Sequence, residues 1–203
     1  MTSRVAVFID YQNVYMGARS AFCPYSTSHV DGQVDPLKVG GVLKGLGVSH
    51  RQLVCVRVYR GMPSSESDPK GYGAAYRQVS LWNATNLVLA RTRPLNYRDP
   101  REPKEKGIDV MLALDFVTMA MREEYDVGVL FSSDTDLIPA LEEVIRMKGE
   151  QACEVACWVP SAGNGNARPL GVKRHVIQRH GLEEARYRLI HDPTDYTIRR
   201  RRR

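Results

Sequence analysis

Cysteine is scarce in this 203-residue chain, with only Cys23, Cys55, Cys153 and Cys157, well separated. Four scattered thiols cannot staple a chain of this length, so a reducing, cytoplasmic setting is expected. Long apolar runs are missing as well. No uninterrupted run exceeds five residues, Val5–Ile9 among them, against the ~20 that a membrane-spanning helix needs. The same run is too short for the core of a secretory signal, and Asp10 follows it at once. What is there is a globular mixture, 43% hydrophobic and 26% charged, which excludes a wholly disordered chain.

The formal net charge is +6, but it is unevenly placed. Arg199 to Arg203 are five consecutive arginines; without them 24 basic residues face 23 acidic ones, a net of +1. Such a run repels itself and reads as a flexible arm for polyanions or a solvated tail. A second basic concentration lies inside the body: Arg91, Arg93, Arg98, Arg101, Lys104 and Lys106, diluted by Asp99, Glu102 and Glu105, with Tyr97 among them. Cations with an interleaved aromatic suit phosphate contact and base stacking, although a polar surface loop has the same composition.

Strand and helix patterns alternate along the chain. Val5–Ile9, Leu53–Tyr59, Leu87–Ala90, Val127–Phe131 and Cys153–Val159 read as strands. Helices are predicted from about Asn13, over Pro36–Leu46 behind the cap Asp35, over Lys70–Trp82, over Gly107–Arg122 and over Leu137–Met147. The helix from Gly107 is so evenly apolar that it is expected to be deeply buried. Beyond Pro160 the pattern is less readable. This alternation predicts one doubly wound α/β domain over residues 1–185, with a central, mostly parallel sheet of about five strands flanked by helices. Residues 186–203 are expected to form a flexible basic extension.

In an open parallel sheet, chemistry collects at the carboxyl ends of the strands. Asp10 directly follows the first strand, Ser132-Ser-Asp-Thr-Asp136 directly follows the fourth, and Asp109 opens the helix before it. If strands one and four are neighbours, Asp10, Asp109, Asp134 and Asp136 can converge. Carboxylates held that close repel one another unless a cation neutralises them. Hard divalent metals prefer such oxygen donors. No histidine or cysteine shares these strand ends, which argues against zinc. Each acid taken singly also reads as a helix cap. Asp115, about 120° around its helix from Asp109, reads as a support outside the cluster. Tyr11, Tyr15, Tyr72 and Tyr76 are candidate stacking residues, and helix packing explains Tyr72 and Tyr76, four residues apart, as well.

Three segments carry a family resemblance: Val7-Phe-Ile-Asp-Tyr-Gln-Asn13, Lys106-Gly-Ile-Asp-Val-Met-Leu-Ala-Leu-Asp115 and Val129-Leu-Phe-Ser-Ser-Asp-Thr-Asp-Leu-Ile-Pro139. In this order, within about residues 4–180, they resemble the signature segments of the NYN domain family, part of the PIN-like nuclease group. The resemblance implies a metal-dependent nuclease acting mainly on RNA, with Mg²⁺ or Mn²⁺ held by Asp10, Asp109 and Asp134. It further implies that Asp136 completes the acidic cluster, that Asn13 positions Asp10 or substrate, and that Ser132 or Ser133 is the small residue before the strand-four acid. Pro160–Arg174 matches only loosely, and the arginine tail lies outside the pattern.

The expected activity is therefore a ribonuclease hydrolysing single-stranded or structured RNA, with Lys106, Arg91, Arg93 and Tyr97 on the substrate. A rival reading is a non-catalytic RNA-binding module using loop 91–106 and the tail. A phosphatase with a nucleophilic Asp10 ranks last, because the acid expected two residues later is Gln12. No membrane partner is expected; a second copy or another protein is left open.

Overall fold

Val5, Ala6, Val7, Phe8 and Ile9 are all fully buried in the computed structural model, so the first strand is covered on both faces. Alternation along it divides the core. Val5, Val7 and Ile9 enter one hydrophobic cluster, and Ala6 and Phe8 enter a second on the opposite side of the sheet. The structure describes residues 2–47, 50–99, 103–160 and 168–198; the Arg199–Arg203 tail and Arg101 lie outside them.

Six strands form the sheet: β1 (Ser3–Asp10), β2 (Arg51–Met62), β3 (Val88–Pro94), β4 (Val127–Phe131), β5 (Cys153–Trp158) and β6 (Gln178–Leu182). All neighbours pair in parallel, in the order β3-β2-β1-β4-β5-β6. The helices are α1 (Tyr11–Phe22), α2 (Pro36–Leu46), α3 (Pro69–Trp82), α4 (Ile108–Met121), α5 (Ile138–Lys148) and α6 (Glu184–Ile190). The expected α/β class holds, with six strands in the sheet, each parallel to its neighbours. Strand order reverses between β1 and β4, and that is where such sheets open a crevice at their carboxyl edge.

Local chemistry explains the best-defined elements. Asp35 caps α2 by accepting from Leu37 N and Lys38 N, with Pro36 in the first turn. Close packing over β4 requires Gly128: a Cβ there would lie 2.7–2.9 Å from ring atoms of Phe116 and Tyr125.

Several expectations change. Helix α1 begins at Tyr11 rather than about Asn13, because Asp10 caps it. Strand β3 runs on to Pro94, so Arg91 and Arg93 sit on an exposed edge strand and not in a loop. Helix α4 is not buried all round: Val110, Leu114 and Met121 are 61%, 60% and 64% exposed. The boundary expected at residue 185 falls inside α6. Tyr187 and Ile190 are buried in the core, Asp35 N bonds Ile190 O at 2.8 Å, and Tyr196 is held by Arg77 Nε on its carbonyl at 2.7 Å. Residues up to Thr197 therefore bond to or pack against the domain. Among the described residues no helix is long and apolar enough to cross a membrane.

Candidate metal centre

Asp10 is placed by β1, whose burial fixes its register, and by the turn into α1. Its Oδ1 accepts from Asn13 N at 3.3 Å, and its Oδ2 accepts from the Ser132 hydroxyl at 2.9 Å. Capping and site-building are thus done by one carboxylate, since two oxygens offer about four lone-pair sites. Asp10 is 5% exposed. Burial pushes its pKa up to about 6, against the Ser132 and Asn13 hydrogen bonds, with further upward pressure from Asp109 and Glu105.

Ser132 joins the two strand ends. It is 1% exposed, donates to Asp10, and accepts from Asp134 N at 3.1 Å. Asp134 accepts in turn from Asp136 N at 3.0 Å, opening the 3₁₀ turn Thr135–Leu137 that leads into α5. Asn13 ties the same loop to α1, its Oδ1 accepting from Ser133 N at 2.9 Å. Asp109 enters from the first turn of α4. Gly107 precedes that helix at φ +73°, a left-handed conformation for which glycine is the natural residue.

One oxygen from each of Asp10, Asp109 and Asp134 lies within 4.8 Å of the other two. Burial, then the like charges of Asp134 and Asp136, raise the pKa of Asp109. An all-carboxylate donor set in which Asp10 and Asp109 both resist ionisation fits a hard divalent cation.

The other expected residues are distributed around this cluster. Asp136 is exposed at its mouth and is not one of the three converging acids. Asp115 accepts from the Tyr59 hydroxyl at 2.9 Å and pairs with Arg91 at 3.5 Å, outside the cluster. Arg91, Arg93 and Lys106 line one cleft with Gly107 and Asp115, beside the start of α4. Tyr97 does not join them: it lines a neighbouring cleft, its hydroxyl accepting from Ser64 N at 3.1 Å. Tyr11 is buried and bonded to Gln78 Nε2 at 2.9 Å, which makes it a packing residue.

Glu105 was missed, having read only as a charge diluting the basic loop. Burial raises its pKa, opposed by the Gly61 N–H and Arg60, while Asp109 adds to the rise. Its position next to Lys106 of the second signature segment was the available signal.

The NYN domain model matches residues 4–160, 157 of the 203 residues. The chain belongs to the NYN domain family. Its three signature segments supply all three converging acids. A crystal structure of a Vibrio parahaemolyticus protein of unknown function is similar, with a TM-score of 0.51 and 20% identity over 76% of this chain and 81% of that one. That likeness concerns the fold alone. No curated protein matches the chain. NYN domains belong to the PIN-like superfamily, so this crevice belongs to a PIN-like nuclease fold.

Proposed function

We propose that this NYN domain is a divalent-metal-dependent ribonuclease. The observation that carries this reading is the convergence of Asp10, Asp109 and Asp134 at the switch point of the sheet. These three carboxylates hold Mg²⁺ or Mn²⁺, which when bound offsets charge building on a phosphodiester and lowers the pKa of water. Ser132 fixes the Asp10 oxygen and Asn13 fixes the strand-four loop, so the acids are preorganised. Asp136, exposed at the mouth, orients the attacking water. Arg91, Arg93 and Lys106 hold the RNA backbone, supplying the cationic contacts that an acidic centre lacks. Attack of water on phosphorus breaks the bond to O3′, which takes up a proton, and leaves a 3′-hydroxyl and a 5′-phosphate. RNA is the partner and the cytoplasm the setting in this reading.

Replacing Asp10 or Asp134 by Asn tests it. Cleavage of a single-stranded RNA in Mn²⁺ should fall at least a hundredfold with an unchanged circular-dichroism spectrum. Undiminished cleavage by either folded variant would contradict the reading and favour a binding module.

A further inference from the structure

A second cleft opens on the other side of the acids. Its walls come from three consecutive strand ends: Asn13 after β1, Asp134, Thr135 and Ile138 after β4, and Arg168 to Gly171 after β5. It therefore lies along the carboxyl edge, beside the cluster and sharing Asp134 with it. The cationic cleft of Arg91, Arg93 and Lys106 shares none of its lining residues.

The lining is chemically divided. Ile138, Pro169 and Leu170 give it an apolar side, with Leu170 buried in the core cluster and anchoring the segment that carries Arg168. Asn13 and Thr135 give it hydrogen-bonding groups. Arg168 is exposed and is the only cation lining the cleft among the described residues. Asp134 at one end repels an anion, so a phosphate seated here needs Arg168. Guanidinium is the side chain best shaped for phosphate, offering paired N–H donors.

We propose that this cleft is a nucleotide subsite, with Arg168 holding the RNA phosphate next to the scissile one and the apolar side taking the attached ribose or base. The inference rests on the ribonuclease reading, but it concerns a residue that neither the signature segments nor the acidic cluster includes. Arg168 is a positioning residue. Its contribution is to binding, and it touches none of the three acids' metal-directed oxygens in this scheme.

The test uses the full chain and a fluorescein-labelled single-stranded oligouridine. For Arg168→Ala, KM for Mn²⁺-dependent cleavage should rise about tenfold, the loss of one charge-assisted contact, with kcat within twofold. Anisotropy binding in the non-cleaving Asp10→Asn background should show the slope of log K against log salt reduced by about 0.7, one phosphate contact on a single strand. Arg168→Lys should restore that slope, which a purely structural role would not predict. An unchanged KM and an unchanged slope in Arg168→Ala, or no measurable RNA binding by the parent, would overturn the subsite. If the wild-type chain binds RNA without cleaving it and the slope still falls, the subsite stands and the ribonuclease reading fails.

Discussion

Ser132→Ala is the most discriminating perturbation of the centre, because one buried hydroxyl serves two acids. Its removal deletes a donor to the Asp10 carboxylate at 2.9 Å and an acceptor for Asp134 N at 3.1 Å. A hydrogen bond to a charged group contributes about 1.5–3 kcal/mol, and a buried donor left unpaired costs about 1–3 kcal/mol. Asp134 is only half-buried, so water can replace the lost acceptor and most of the second cost is avoided. Alanine also fits the space without a clash. The net loss is expected to be about 2 kcal/mol. In a chain of this size that lowers Tm by roughly 4–8 °C. The effect on metal should be of similar size in free energy. Partners that orient a ligand carboxylate typically contribute 10- to 100-fold in affinity, so Mn²⁺ binding by isothermal titration calorimetry should weaken by that factor. Ser133→Ala is the internal control: Ser133 supports the site through its backbone N–H on Asn13 Oδ1, which the substitution keeps. Equal losses in the two variants, or full Mn²⁺ affinity in a folded Ser132→Ala protein, would refute the reasoning.

Two further outcomes are expected. Glu154 is 4% exposed and bonds Arg51 at 2.9 Å and His180 at 2.7 Å. Burial pushes its pKa up, but the His180 and Arg51 hydrogen bonds prevail and hold it down to about 2. A depressed folded value stabilises the protein above the ordinary carboxylate range and is lost as pH falls from about 5 toward 2, of the order of 3 kcal/mol. Urea midpoints at pH 6 and pH 3 should therefore move further apart for the wild type than for Glu154→Gln; equal separations would contradict this. Asp115→Asn keeps an acceptor for the Tyr59 hydroxyl and loses only a partly exposed pair with Arg91. Its stability should change by less than about 1 kcal/mol and its cleavage rate by less than twofold; a hundredfold loss would place Asp115 in the centre.

What could be read from the residues follows from how strongly each position is constrained. Strands β1 and β4 are buried on both faces, which leaves an unbroken apolar run, and the acids at their ends then fall into the crevice by topology alone. The C-terminal elements gave no such signal. Strand β6, Gln-Arg-His-Gly-Leu, lies at a sheet edge and buries only His180 and Leu182, so its pattern is mostly polar. Helix α6 spans seven residues, too few for a periodicity to emerge. The uniform apolarity of α4 pointed to burial, yet the sheet ends at β3 and leaves Val110 and Leu114 uncovered. Arg168 depends on which loops meet in space, and a single sequence does not encode that visibly. Asp10 reads from the sequence both as a helix cap and as a site acid, and in the structure it is both: one oxygen caps α1 while the other turns to Ser132.

The central claim is that Asp10, Asp109 and Asp134 together hold a hard divalent cation, and a crystal soaked in Mn²⁺ tests it most directly. Anomalous density for one or two ions ligated by oxygens of all three carboxylates is predicted, and it should vanish in Asp134→Asn. Well-ordered carboxylates with no anomalous density between them at millimolar Mn²⁺ would contradict the account.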